Sequence, residues 1–271
     1  MSTGQILLLG AIAGATIFLG LPIGRLQGLS RTARVALSSL ATGILVFLLW
    51  DVLSGAVAPI ESALDSREWG TFAGLAALGL GGFALGLMSL VYYAEWMKGR
   101  ARRGFGETAD GRLKWFERMS AGSQLALLIA IGIGVHNFGE GLAIGQAASV
   151  GEISLAVTLI IGFGLHNATE GFGICGPMAA EGTQPTWRYL VVRGVIGGAP
   201  TFVGTLIGQA WTSDAVSVLF FAVAAGSILY VIQELFAVNR GLGRPTTAMW
   251  LLFAGITLGF ATDFVVSAAG V

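Results

Sequence analysis

The sequence predicts an all-α integral membrane protein with eight transmembrane helices, and three observations lead to this prediction. Hydrophobic residues make up 55% of the 271 residues and charged residues only 11%, with a mean hydropathy of +0.79. Soluble domains carry about a quarter charged residues, so most of this chain is suited to lipid. Apolar runs of about 20 residues, the length that crosses a bilayer, recur throughout, and basic residues fall in alternate gaps between them.

The apolar runs divide the chain into spans with short connections. In order, the predicted spans cover residues 6–23, 35–53, 72–93, 125–148, 153–178, 190–210, 216–236 and 248–268. The one extended polar stretch, residues 97–120, has charges of both signs and several glycines, which predicts a flexible loop between spans three and four. Because the first apolar run is long enough to span and follows no basic segment, no cleavable signal peptide is expected. We therefore expect one transmembrane domain over residues 1–271.

The basic residues orient the predicted bundle. Fourteen of the fifteen Lys and Arg follow odd-numbered spans, and only Arg67 follows an even-numbered one. The positive-inside rule makes the first side cytoplasmic and places both termini outside, as in a multi-pass protein of the plasma membrane. The richest basic run, residues 98–103, is short and lies beside a span, which suits lipid headgroups and not nucleic acid. The single cysteine, Cys175, excludes an intramolecular disulfide and a CxxC metal site.

Both histidines of the chain lie in two copies of one motif, IGxGxHNxxEG, placed 30 residues apart in spans four and five. His and Glu at positions i and i+4 share one helix face, and the intervening Asn offers an amide oxygen beside them. Because the connection near Gly151 is short, the two spans run antiparallel and the copies meet near the bilayer midplane. The candidate metal ligands are His136, Asn137, Glu140, His166, Asn167 and Glu170.

The residue types of this motif point to a divalent cation. Imidazole nitrogens with carboxylate and amide oxygens suit Zn²⁺, and also Fe²⁺, Mn²⁺ or Cd²⁺. A charged side chain at the bilayer centre costs about 2.5–3.5 kcal/mol on insertion scales, and no Lys or Arg lies at the depth of the two glutamates to offset it. A hydrogen-bonded interhelix histidine and a protonated glutamate would explain one motif equally well. They explain a pair that uses both histidines of the chain much less well.

The paired motif resembles that of the ZIP family of zinc and iron transporters, above all the prokaryotic branch, in which the usual form of the motif is HNxPEG. The resemblance implies metal bound between helices four and five, and transport by one helix bundle sliding against another. It also implies that His136, Glu140 and Glu170 form a first metal position. Asn137 and Asn167 would form a second position with the two glutamates, and His166 occupies a position that is often a ligand in relatives.

The sequence departs from the family pattern in two places. Gly139 and Thr169 replace the motif prolines, and the segment Gly197-Gly-Ala-Pro200 in span six lacks the glutamate that many relatives carry there. Because the second metal position loses a carboxylate, we expect one firmly held ion and not two.

Three further polar residues are candidates for the ion pathway. Asp51, near the predicted outer end of span two, could collect cations at an entrance, and Gln233 and Glu234, near the cytoplasmic end of span seven, could relay them at an exit. For each, the alternative is an interfacial residue that faces water. Asp263 is interpreted as structural.

The leading functional hypothesis is an importer of divalent metal, with zinc as the first candidate. An intramembrane metalloenzyme is the first alternative, but no HExxH motif exists and the Glu–His order is the reverse of that in di-iron bundles. A proton-coupled transporter of an organic substrate is the second, and it leaves the paired histidines unexplained. The expected partners are divalent metal ions and membrane lipids, with no cofactor besides the transported ion. The sequence does not fix the oligomeric state, for which a homodimer is one candidate.

Overall fold

A computed structural model describes residues 3–26, 30–102, 119–149, 167–168, 170–171, 173–178, 181–210 and 213–268. The described chain folds into long helices that match the predicted spans in order, and we number them α1–α8 accordingly. Helix α5 is described only within residues 167–178. The other helices are α1 (Thr3–Ala15), α2 (Arg31–Asp65), α3 (Trp69–Arg102), α4 (Ala121–Ser149), α6 (Trp187–Gly208), α7 (Asp214–Leu242) and α8 (Pro245–Ala268).

Seven of the eight predicted spans are present as helical segments long and apolar enough to cross a membrane. The fifth, residues 153–178, lies mostly outside the described residues. The first is not one regular helix: α1 breaks at Thr16 and continues as a short turn, Ile17–Gly20, and a 3₁₀ turn, Leu21–Arg25. Pro22 lies in the first turn of that 3₁₀ segment, where its missing N–H is tolerated.

Two helices are much longer than predicted. The 35 residues of α2 span about 52 Å, whereas the hydrocarbon core is about 30 Å thick. Hydropathy detects only the apolar part of such a helix, and an exposed segment that carries Glu61 and Asp65 continues it. Helix α3 likewise continues to Arg102, so the prediction that a loop begins at residue 97 is wrong. Residues 103–118 of that predicted loop lie outside the described residues.

The helices pack as two groups. Helices α1, α4 and α6 pack together, and the described part of α5 joins them through contacts with α1, among them a hydrogen bond from the Cys175 thiol to the Leu21 carbonyl. We call this group the motif bundle because it carries both motifs. Helices α2, α3, α7 and α8 form the second group, which we call the outer bundle. The two bundles meet chiefly where α4 packs along α7.

Glycines allow the backbones of several helices inside each bundle to approach closely. Inside the motif bundle, a methyl group on Gly141 of α4 would collide with the Thr201 carbonyl of α6. Inside the outer bundle, one on Gly43 of α2 would collide with the Leu252 carbonyl of α8. Such direct backbone approach is what small residues permit between membrane helices. Between the bundles, the described glycines instead face side chains: Ser227 opposite Gly132, Phe221 opposite Gly139 and Ala41 opposite Gly176.

Candidate metal site

The described motif residues converge in the interior of the protein. Helix α4 presents His136 and Glu140 from successive turns of one face, and their side chains are only 1% and 3% exposed. Glu170 of α5 is fully buried beside them, as are both motif asparagines. Charged and polar groups at this depth require compensation, because no water reaches them to solvate their charge.

The distances from His136 to the two glutamates are close to those between two ligands of one ion. His136 Nε2 lies 3.3 Å from Glu140 Oε1 and 3.8 Å from Glu170 Oε1. Two ligands that each lie about 2.0–2.1 Å from one tetrahedral zinc are about 3.3–3.4 Å apart. Within the described residues, no three His, Cys, Asp or Glu side chains already satisfy the full geometry of a metal centre.

The two motif asparagines are held by backbone carbonyls of neighbouring helices. Asn137 Nδ2 donates to the Gly197 carbonyl of α6 at 3.0 Å and to Glu170 Oε2 at 3.1 Å. Asn167 Nδ2 donates to the Ala13 carbonyl of α1 at 3.0 Å. Because each amide nitrogen donates to a carbonyl, the orientation of each amide group is set, and its oxygen is the atom left to accept a hydrogen bond or bind a cation. Neither amide oxygen receives a hydrogen bond from the described part of the chain.

Within the described residues, several buried acceptor atoms at this site receive no hydrogen bond. Besides the amide oxygens of Asn137 and Asn167, both carboxylate oxygens of Glu140 accept no hydrogen bond from any described residue. An unsatisfied buried acceptor costs about 1–3 kcal/mol, and more if it is charged. A concentration of acceptors of this kind favours a cation, and the mixture of imidazole, carboxylate and amide suits zinc.

The carbonyls that hold the asparagines were not predicted from the sequence. Ala13 lies in the last turn of α1, and its carbonyl also accepts hydrogen bonds from the amide and the hydroxyl of Thr16, where the helix breaks. A Cβ atom on Gly197 would lie 2.7 Å from Ile17 Cδ1, so the absence of a side chain there makes room for Ile17. The glycine pair at 197–198 marks this segment in the sequence, but no sequence pattern indicates that Asn137 binds its backbone.

Phe221 of α7 is a second residue that the sequence did not reveal. Its ring centroid lies 6.5 Å from that of His136, so the outer bundle contacts the site through this side chain. A Cβ atom on Gly139 would lie 2.7 Å from Phe221 Cε1, closer than any ordinary contact. The glycine that replaces the motif proline therefore provides the space in which the Phe221 ring lies.

The remaining predicted residues either lie outside the described part of the chain or lie on helices of the outer bundle. His166 and Thr169 lie outside the described residues. Asp51 does not lie near the end of its helix as predicted, because α2 continues to Asp65; it is half-buried in mid-helix and close enough to His136 and Asp263 for electrostatic interaction. Gln233 is exposed and Glu234 half-buried on α7.

The pathway candidates on α7 are remote from the site. Glu234 lies 13 residues beyond Phe221, about 20 Å along the helix axis. The described residues show no contact that brings Gln233 or Glu234 to the motif side chains.

Comparison with known proteins identifies the family. A family model described as ZIP zinc transporter matches residues 109–267, which is more than half of the chain and includes both motifs. The chain belongs to the ZIP family of zinc transporters. It is also 27% identical over 257 residues to the zinc transporter ZupT of Corynebacterium glutamicum, covering 90% of this chain and 95% of that protein.

Family membership decides several of the predictions. It confirms the resemblance to ZIP transporters and, with the membrane-length helices, a multi-pass membrane protein that transports divalent metal. The protein is a transporter and not an enzyme, so the metalloenzyme alternative is rejected.

Proposed function

We propose that this ZIP protein imports Zn²⁺ across the plasma membrane by alternating access, holding one ion between α4 and α5. The ligands are His136, Glu140 and Glu170, with the amide oxygens of Asn137 and Asn167 beside them and His166 as a further ligand from the second motif. The single observation that supports this most strongly is the convergence of an imidazole and two carboxylates at 3.3 and 3.8 Å in a fully buried setting.

Charge balance supports a divalent ion at this site. When Glu140 and Glu170 are ionised, their two negative charges match the charge of one Zn²⁺. Fe²⁺, Mn²⁺ and Cd²⁺ have the same charge and share these ligand types, so they are the competing substrates. Since His and Glu bind metal only when deprotonated, protonation of the ligands offers a route for release.

The packing around the site supports one ion and not two. Helix α6 faces the site with the Gly197 carbonyl, which is already engaged by Asn137, and brings no carboxylate to it. A second divalent ion would share the same two glutamates and would leave a local excess of positive charge in a buried region, which is costly.

The bundle arrangement supports a sliding movement. Several helices inside each bundle approach through glycine and backbone, as Gly141 and Gly43 do, so these contacts resist relative displacement, as close-packed interiors do. The described glycine contacts between the bundles involve side chains, which can exchange rotamers as the surfaces move. We infer that the motif bundle carries the ion past the outer bundle. In this movement His136 and Glu140 change their distance from the surface of the outer bundle that includes Phe221.

The ion pathway extends the site in both directions. Asp51 lies within electrostatic range of His136, which supports a role in guiding cations to the site from the predicted outer side. Gln233 and Glu234 lie toward the predicted cytoplasmic end of α7, where they would receive the ion after release.

Uptake of radioactive zinc into proteoliposomes tests the site assignment. Glu140→Gln and Glu170→Gln should each reduce uptake to the level of protein-free liposomes, because each removes a charged ligand while it preserves side-chain size. Glu61→Gln and Glu68→Gln make the same change at exposed positions and should transport normally. Wild-type uptake in a folded Glu140→Gln, Glu170→Gln double variant would show that zinc crosses elsewhere.

A further inference from the structure

A cavity of about 320 Å³ lies between α2, α7 and α8, on the side of the bundle that the arginine distribution predicts to be cytoplasmic. One part of its wall is apolar, formed by Phe236, Ala248, Met249 and Leu252. The other part is polar. The volume lies at the lower end of ligand pockets, which range over about 300–1,000 Å³, so it suits a headgroup and the beginning of an apolar chain.

The polar part of the cavity carries positive charge. Arg240 and Arg244 line it, and the Arg31 guanidinium lies beside Gly243, whose added Cβ atom would be 3.2 Å from Arg31 Nη2. No Asp or Glu belongs to the described lining. Helix α8 begins at Pro245 in the same wall, and the amino end of a helix adds partial positive charge. This region is therefore suited to an anion.

Two uncharged polar groups of the wall lack hydrogen-bond partners. Ser39 is fully buried and Asn239 is 7% exposed, yet Ser39 Oγ and Asn239 Oδ1 find no partner in the described part of the protein. Asn239 Nδ2 donates to Thr42 Oγ1 at 3.2 Å, and this bond sets the orientation of the amide. The Oδ1 atom can then accept a hydrogen bond, but no described residue donates one to it. A ligand hydroxyl would supply that donor, and it would also bond the Ser39 hydroxyl.

We propose that this cavity binds an anionic membrane phospholipid with a hydroxyl-bearing headgroup, as in phosphatidylglycerol. The phosphate is bound by Arg240 and Arg244 at the start of α8, and the headgroup hydroxyls bond Asn239 and Ser39. The acyl chains follow the apolar wall toward Met249, which is 55% exposed. A soluble phosphate ester would leave this apolar wall unused, which is why the charge and the wall together favour a lipid. The inference does not depend on the metal site.

Native mass spectrometry of the purified protein with defined lipids tests the anionic part of the proposal. Wild-type protein should retain phosphatidylglycerol in preference to phosphatidylcholine. Arg240→Gln and Arg244→Gln should each weaken that retention about fivefold, the effect of roughly one basic residue near a lipid headgroup. Arg188→Gln, an exposed arginine on the same predicted side but on α6, should leave it unchanged. Equal retention of the two lipids, or an equal loss in the Arg188 variant, would overturn the proposal.

A second comparison tests the hydroxyl contacts. Phosphatidylethanol carries the same charge but no headgroup hydroxyl, so the wild type should prefer phosphatidylglycerol over it. Ser39→Ala and Asn239→Leu should lose this preference, and Ser39→Ala suffices if the larger change prevents folding. Glycerol 3-phosphate at millimolar concentration should not displace the lipid. Displacement would identify a soluble phosphate ester as the ligand. An unchanged preference for phosphatidylglycerol in folded Ser39→Ala would place the headgroup elsewhere. Either result contradicts the proposal.

Discussion

The contact between Gly139 and Phe221 joins the motif bundle to the outer bundle beside the metal site, so a methyl group added there is a sharp test of the packing. In Gly139→Ala, the new Cβ atom would lie 2.7 Å from Phe221 Cε1, whereas ordinary carbon contacts begin near 3.4 Å. An aromatic ring cannot bend away, so the ring must rotate or the helices must separate. Overpacking of this kind costs about 1–3 kcal/mol.

A double-mutant cycle measures this effect without assuming its size. We expect Gly139→Ala to lower the thermal midpoint in detergent by about 2–4 °C for each kcal/mol of lost stability. Adding Phe221→Leu in the double variant should restore most of that loss. Zinc uptake should follow the same order, because the displaced ring also contacts His136. If the two substitutions prove additive, with a coupling energy near zero, Phe221 does not fill the space left by Gly139 and the description of this interface is wrong.

Other substitutions give further tests. Asn137→Leu should lower zinc affinity, measured by isothermal titration, about 10–100-fold, because it removes the amide oxygen and the hydrogen bond that orients Glu170; an unchanged affinity would exclude Asn137 from the site. Zinc binding should release protons, seen as a dependence of the binding heat on the ionisation enthalpy of the buffer; no dependence would mean that the ligands are already deprotonated. Gly141→Ala should prevent stable folding, judged by gel filtration, whereas Gly74→Ala, which has open space around it, should be tolerated. Asp51→Asn should raise the zinc concentration for half-maximal uptake with little change in maximal rate, and a pure loss of rate would argue against a role at the entrance.

The features that were predicted correctly from the sequence are those encoded locally. Seven spans follow from the length and composition of apolar runs, and both motifs were found because His, Asn and Glu recur at one spacing. The i,i+4 rule placed His136 and Glu140 on one face, as observed. The hypothesis that Glu170 approaches them required only that two neighbouring helices be antiparallel.

The features that escaped prediction depend on contacts between distant residues or on water. Helix α2 continues past its apolar part because a helix needs no hydrocarbon to persist, so Asp51 lies in mid-helix. The anchoring of Asn137 by Gly197 and of Asn167 by Ala13 joins residues 60 and 154 positions apart. No local pattern specifies such pairs, nor does one reveal that Phe221 fills the space at Gly139.

The most direct measurement of the central claim is anomalous scattering from a crystal of the protein soaked in zinc. We expect one strong peak between α4 and α5, about 2.0–2.2 Å from a nitrogen of His136 and from carboxylate oxygens of Glu140 and Glu170. Two peaks of equal strength would contradict the single-ion site. A peak elsewhere in the bundle, with none at these three residues, would contradict the assignment of the transport site itself.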